Sequence, residues 1–162
     1  MFAGLYDRYA DLVYRKCLSF AKSREEAQDM SHDIFVLLFA RLRTFKAKSR
    51  FSTWLYSFVY NFCVNHVKRK MKKRNEKIVL AEDIGRFSEP QVSDEEIYEL
   101  KSVKLEKALK QLGPEDKMVL LMKYQDEMSI KDIQASLNLG QSAVKMRLNR
   151  AKSRLMTIYN DL

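Results

Sequence analysis

Phe2, Leu5, Tyr6, Tyr9, Leu12, Val13, Cys17 and Phe20 return every third or fourth residue, the spacing that lines one face of an α-helix. The same period recurs along most of the 162-residue chain, interrupted by only four Gly and two Pro. So few breakers disfavour a turn-rich all-β fold, and a 46% hydrophobic content is too high for a disordered basic tail. The chain is therefore expected to be all-α. Cys17 and Cys63 are too few for a disulfide scaffold or a Cys-type zinc site. No apolar run is long enough to span a bilayer, so direct membrane insertion is not expected. Met1 leads straight into an amphipathic pattern rather than a signal peptide, which points to a reducing, cytoplasmic setting.

The formal net charge of +9 is unevenly spread. Residues 1–40 carry net −1, residues 41–77 net +11, residues 78–100 net −6 and residues 101–162 net +5. An acidic stretch, AEDIGRFSEPQVSDEE, thus separates two basic blocks, and it contains Gly85 and Pro90 without helical periodicity. It reads as a flexible acidic linker over residues 76–97, joining small helical domains at 1–75 and 98–162. Basic excess of this kind calls for an anionic partner, most simply nucleic acid. The linker either threads a basic channel of a partner or is an ordinary solubilising tether.

The first helix is expected over residues 2–22. Ser23 and Glu26 match a capping box, opening a second helix that should bury Ala27, Met30, Ile34, Leu37, Leu38 and Leu42. After the basic loop TFKAKSRF, Ser52 is placed to cap a third helix through Trp54, Leu55, Phe58, Val59 and Phe62, ending in KRKMKKR. Past the linker, Tyr98–Leu112 is periodic and stops at Gly113-Pro114, where proline suits the first turn of the next helix. Met118, Leu121 and Met122 should face inward there. Ser129 caps a short helix, Asn138 is the natural left-handed residue of a three-residue turn, and a longer helix runs from Gln141 toward Tyr159.

A capped short helix, a tight turn and a basic second helix fit the helix-turn-helix signature. On a helical wheel Val144, Leu148, Ala151 and Leu155 form the inner stripe, opposite Ser142, Met146, Asn149, Arg150 and Ser153. Lys145 and Lys152 flank one side, Arg147 and Arg154 the other, and no acidic residue lies between Asp132 and Asp161. Such a face fits a major groove, where Lys, Arg and Asn pair with base edges or phosphates; a merely solvated helix usually mixes signs.

Three strings, FAGLYDRYADLVYR, SREEAQDMSHDIFVLLF and RFSTWLYSFVYNFCVNHVKRK, resemble the promoter-melting domain of extracytoplasmic-function sigma factors, the compact branch of the sigma-70 superfamily. The tail ALKQLGPEDKMVLLMKYQDEMSIKDIQASLNLGQSAVKMRLNRAKSRL resembles their helix-turn-helix domain. The resemblance implies a non-enzymatic, cofactor-free subunit with no small-molecule substrate. It implies binding to the clamp region of bacterial RNA polymerase core, recognition of −10 and −35 promoter DNA, and often restraint by an anti-sigma factor. By position, Asp29, His32, Asp33, Ile34 and Phe35 fall on the helix that grips polymerase. Lys46, Lys48, Arg50 and Phe51 occupy the loop that in the family holds a flipped −10 base, and Asn61, Asn65, Lys68 and Arg69 the helix facing the −10 strands. Lys145, Met146, Arg147 and Arg150 match the −35 reading positions, with Ser142 and Asn149 on the same polar face. The chain departs from the usual pattern at His32 and Asp33, commonly Gln and Glu, and at Asn138 and Gly140, commonly Gly and Ser. Met146 also departs, replacing a usual Ser.

Other readings stand beside this one. A free-standing helix-turn-helix regulator would use the same carboxy-terminal half, but would place a ligand or dimerisation domain before it. A metal-dependent nuclease needs convergent carboxylates and histidines, and Asp29, His32 and Asp33 share only one helical face. Phe45 and Phe51 either plug the helix ends or cradle an extruded base. Trp54 and Phe58 are either core or melting wedges, His66 reads as a polar surface residue, and Cys17 as inert core.

Overall fold

A computed structural model describes residues 2–47, 50–74 and 91–162, and every regular element among them is helical. They form two compact units whose boundary follows Arg74. Lys48 and residues 76–90 of the expected linker lie outside the described residues.

The first unit holds α1 (Phe2–Phe20), α2 (Arg24–Arg41) and α3 (Phe51–Lys73). Their stripes meet in a core where Val13, Cys17, Ala27, Ile34, Leu38, Leu55, Val59 and Cys63 are all 0% exposed. Each large apolar side chain removed from water stabilises the fold by about 1.5–3 kcal/mol, offsetting the entropy of ordering a short chain. In α2, Phe35 rather than Leu37 takes the inner position, because the stripe leans toward α1, where Tyr6 packs on the Phe35 ring at 4.8 Å. Leu37 is left exposed, and Leu42 falls half-buried in a short 3-10 turn, Leu42–Thr44. Arg50, not Ser52, occupies the cap position of α3, with no side-chain cap. Phe51 is drawn into that helix by its ring contacts with Tyr9, Phe45 and Trp54, at 5.6, 5.4 and 5.7 Å.

Lys16 is buried in this unit. Its ammonium donates to the Tyr60 hydroxyl at 2.7 Å and lies 4.3 and 4.5 Å from the ring centres of Tyr56 and Tyr60. The two π faces replace part of the lost hydration. Glu26 ties the far end of the bundle. Ser23 Oγ accepts the Glu26 N–H at 3.1 Å, but the Glu26 carboxylate reaches back one residue further than a capping box requires, to the Lys22 N–H at 3.2 Å. Its other oxygen takes His66 Nε2 at 3.2 Å and Lys70 Nζ at 2.9 Å, both from α3. His66 is therefore a half-buried partner of α2 and not a solvated surface residue. Burial pushes the Glu26 carboxyl up, yet hydrogen bonds from Lys70, the Lys22 N–H and His66 outweigh it and hold it below its ordinary value.

The second unit holds α4 (Asp94–Tyr98), α5 (Ser102–Gln111), α6 (Pro114–Leu120), α7 (Ile130–Leu137) and α8 (Gln141–Asn160). The α4 helix lies in the stretch expected to be linker. Its five residues are too few to show a period, but Ser93 and Glu96 complete a capping box and three acids complement its dipole. Ile97 is buried, and Tyr124 donates to Asp94 at 2.6 Å. The acidic stretch therefore ends as part of the folded unit. The chain breaks after Tyr98, where the Lys101 N–H donates to Tyr159 Oη at 3.1 Å, so α5 starts at Ser102 and not at Tyr98.

Pro114 opens α6, and Met118, Leu121 and Met122 are buried as expected. The helix widens into a π-helical turn, Leu121–Gln125, closed by the Asp126 N–H on the Leu121 carbonyl at 3.0 Å. Ser129 and Asp132 form the box that starts α7, and Asn138, at φ 54° and ψ 48°, ends it in the left-handed region. Gly140 caps α8 without a side chain.

Two stability changes follow. Glu26→Ala should cost about 1–2 kcal/mol in thermal or denaturant unfolding, from the lost hydrogen bonds and ion pair. A carboxyl held low when folded contributes stability above its ordinary value of 4.5 and loses it as pH falls through the lower folded value. The wild-type melting temperature should therefore drop on acidification through that window, and Glu26→Gln should flatten the drop. At Gly140 an added Cβ meets nothing within 4 Å, so Gly140→Ser should raise stability by a few tenths of a kcal/mol, read as a small rise in Tm.

Candidate nucleic-acid interface

The inner stripe of α8 is buried as the wheel requires, at Val144, Leu148, Ala151 and Leu155. That leaves Ser142, Lys145 and Met146 exposed on the outside, with Arg147, Asn149 and Arg150 half-buried beside them. All six expected −35 residues therefore lie on α8 away from the core stripe, around an exposed Met146. The outer basic face is narrower than the wheel suggests. Lys152 is buried and pairs with Asp94 at 3.7 Å, and Arg154 pairs with Asp116 at 2.6 Å. Both cations are internal partners of acids that sequence spacing does not link to them. The Tyr124 hydrogen bond, then Lys152 against the opposing effect of burial, holds Asp94 below its usual range. Burial and the Asp94 bond push the Tyr124 hydroxyl far up, so it remains a neutral donor.

In the first unit Asn61, Asn65 and Arg69 are exposed along one face of α3, with Lys68 half-buried next to them. Lys46 and Arg50 are exposed in the loop before α3, and Ala47 between them has a left-handed φ of 57°. Phe45, Phe51, Trp54 and Phe58 form a ladder of rings with centres 5.4–5.8 Å apart. All four are half-buried, so they are neither closed core nor free wedges.

On α2, Asp29, His32 and Asp33 are exposed, but Ile34 and Phe35 are 0% and 4% exposed. The core takes those two, because Ile34 lies on the central stripe and Phe35 meets Tyr6. The apolar side chains that do face outward are Val36, Leu37 and Phe39, at 58%, 44% and 63% exposed. A strict helical count around the Ile34–Leu38 stripe would have found Val36 and Phe39. A groove of about 700 Å³ runs between α2 and α3, lined by Asp33, Val36 and Leu37 on one wall and Phe62, Asn65, His66, Lys68 and Arg69 on the other. It brings Asp33 together with three of the expected −10 residues, and His66 joins them. Among the described residues no group of three His, Cys, Asp or Glu side chains is placed to hold a metal ion, and no helix is long and apolar enough to cross a membrane.

Two helical modules with basic outer faces, one of them a helix-turn-helix, have the character of a nucleic-acid-binding protein. The model of Sigma-70 region 2 matches residues 5–73, and that of Sigma-70, region 4 matches residues 102–155. The chain belongs to the extracytoplasmic-function group of the sigma-70 family. It is similar to the ECF RNA polymerase sigma factor SigW of Bacillus subtilis, with 28% identity over 99% of this chain and 90% of the relative. SigM of the same organism is 26% identical, over 96% of this chain and 93% of its own length. The fold is that of the sigma factor RpoE solved with the anti-sigma factor NepR from Bartonella quintana, at a TM-score of 0.68 and 18% identity over 98% of this chain and 96% of that one. CnrH, solved with the cytosolic domain of CnrY, gives 0.62 and 21% over 99% and 88%. The protein is an alternative sigma factor acting in transcription initiation, and the stand-alone regulator is not favoured, because Sigma-70 region 2 matches the amino-terminal half, residues 5–73.

The inward pairing of Arg154 has a direct test. Arg154→Ala leaves Asp116 largely buried without its cation and should lower stability by about 2 kcal/mol. Measured well below the melting transition, affinity for −35 duplex DNA should be unchanged. A proportionate loss of DNA affinity would put Arg154 back on the outer face.

Proposed function

We propose that the chain divides its work among three surfaces. The outer face of α2 docks on the clamp region of RNA polymerase core through Asp29, His32 and Asp33, with Val36, Leu37 and Phe39 supplying the apolar part. The loop before α3 and the α3 face hold −10 DNA through Lys46, Lys48, Arg50, Phe51, Asn61, Asn65, Lys68 and Arg69. The α8 face reads the −35 element through Ser142, Lys145, Met146, Arg147, Asn149 and Arg150. The observation that carries this reading is the segregation of charge, with acid and apolar side chains outward on α2 and cations outward on α3 and α8.

Each surface suits its part chemically. Lys145 and Arg150 can pair with guanine edges or phosphates, and Met146 offers an apolar contact for a thymine methyl. The lysine-rich end of α3 neutralises phosphates, with log K falling by about 0.9 per contact as log salt rises. The ring ladder at Phe45, Phe51, Trp54 and Phe58 offers unpaired bases an edge on which to stack. Promoter domains at 1–75 and 98–162 with a tether between them complete the arrangement, the tether giving up its last residues to α4. Sigma factors as a family are not enzymes, and the same is proposed of this chain, with action in the cytoplasm. An anti-sigma partner is supported by RpoE having been solved with one.

Transcription in vitro with purified bacterial core polymerase tests the reading. Adding the protein should produce promoter-dependent transcripts from a genomic fragment library; none at any ratio of factor to core would sink it. Asp29→Ala and Asp33→Ala should weaken binding to core about tenfold while sparing isolated −35 binding. Lys145→Ala and Arg150→Ala should do the reverse, each costing about 1–3 kcal/mol of −35 affinity.

A further inference from the structure

His66 is a ring in the α2–α3 groove whose orientation is fixed from behind. Its Nε2 meets Glu26 Oε1 at 3.2 Å, and since a carboxylate can only accept, Nε2 carries the proton. The ring lies nearly parallel to Phe62, 18° apart with centres 6.1 Å apart, and both line the groove. Lys68, Arg69 and Asn65 lie on the same wall, and Asp33 is the one acid among the lining residues. The wall is thus an aromatic step flanked by two cations and an amide.

We propose that the Phe62–His66 step is a stacking site for one unpaired base of the opened −10 element, with Lys68 and Arg69 holding the adjoining phosphates and Asn65 meeting the base edge. Glu26 is then a positioning residue, holding the imidazole plane parallel to Phe62. The chemistry favours nucleic acid over a protein segment on this wall, because it pairs a flat π surface with a local excess of positive charge. Base-on-ring stacking tolerates any base and is set by the ring face, so what matters at position 66 is a planar ring. The site rests on the promoter-opening role proposed above and adds residues to it.

The test uses the full chain bound to core polymerase and promoter DNA carrying 2-aminopurine at successive −10 positions of the non-template strand. In the wild type, opening should brighten the unstacked positions while one position stays quenched. His66→Ala should abolish that quenching and weaken binding of the single-stranded −10 oligonucleotide about tenfold. His66→Phe, which keeps the ring and loses the Glu26 bond, should retain most of the quenching. His66→Gln, which keeps a donor for Glu26 and loses the ring, should not. The opposite order, with Gln rescuing and Phe failing, would make His66 a structural tie and overturn the proposal. Unchanged oligonucleotide binding in all three variants, with a loss of core polymerase affinity, would assign the groove to protein and overturn it equally. Each variant's melting temperature, taken in parallel, separates loss of the fold from loss of the site. Failure of the wild type to bind core at all is read independently in the transcription assay and falls on the function, whereas active transcription without quenching at any position falls on this site alone.

Discussion

In the first unit three helices exclude water only by meeting along a single seam, and Val13, Cys17, Ala27, Ile34, Leu38, Leu55, Val59 and Cys63 fill it completely. A three-helix core has no redundancy, since each stripe is needed by both of the others. That constraint decides which side chains remain for partners. Once Ile34 and Leu38 point inward, α2 must turn Asp29, Asp33, Val36 and Leu37 outward, and once Leu55, Val59 and Cys63 point inward, α3 must present Asn61, Asn65 and Arg69. The partner surfaces are the complement of the core. A polar residue moved onto the seam would cost the fold and tilt both surfaces together.

The second unit obeys the same rule with more polar help. Its helices before α8 are short, ten residues or fewer, so it relies on caps and internal ion pairs where longer helices would rely on packing. Ser93 with Glu96 starts α4, Ser129 with Asp132 starts α7, and Asn138 ends α7 at a backbone conformation that Asn tolerates. Asp94 gathers Tyr124 and Lys152, and Asp116 gathers Arg154, each joining segments far apart in sequence. These pairs withdraw two cations from the basic face of α8 and leave its amino-terminal half, around Lys145 and Met146, as the half with charge to offer. A recognition helix that reads bases with its first turns needs its charge there.

Much of this was legible in the residues, and what was legible shares a cause. Apolar period, breakers and caps act over three or four residues, so the helices, the Asn138 turn, Pro114 and the α8 core stripe could all be read from spacing. What escaped was set by contacts distant in sequence. Nothing near His66 announces that Glu26, forty residues earlier, will bind it. Nothing near Lys152 announces Asp94. Phe35 replaced Leu37 in the core because Tyr6 lies over it, which a wheel drawn for α2 alone does not contain. The α4 helix is hidden for a different reason: five residues give no period, and the acids that give the stretch a linker's charge also stabilise its first turn.

The candidate sites divide along the same line. Residue type and family position placed the −35 set on α8, because a recognition helix is local and its outer face follows from its inner one. The α2 set needed the core first, since Ile34 and Phe35 turn into it while Asp29, His32 and Asp33 turn outward. The α2–α3 groove could not be read at all, because it exists only where two helices from different stretches of the chain lie antiparallel. Its two walls have opposite characters, acid and apolar on α2, basic and aromatic on α3. A partner that engages one wall therefore alters the field and the space felt at the other. Glu26 joins the first turn of α2 to the last turns of α3, so under the proposed function the polymerase contact and the strand contact would be neighbouring events on one tied helix pair.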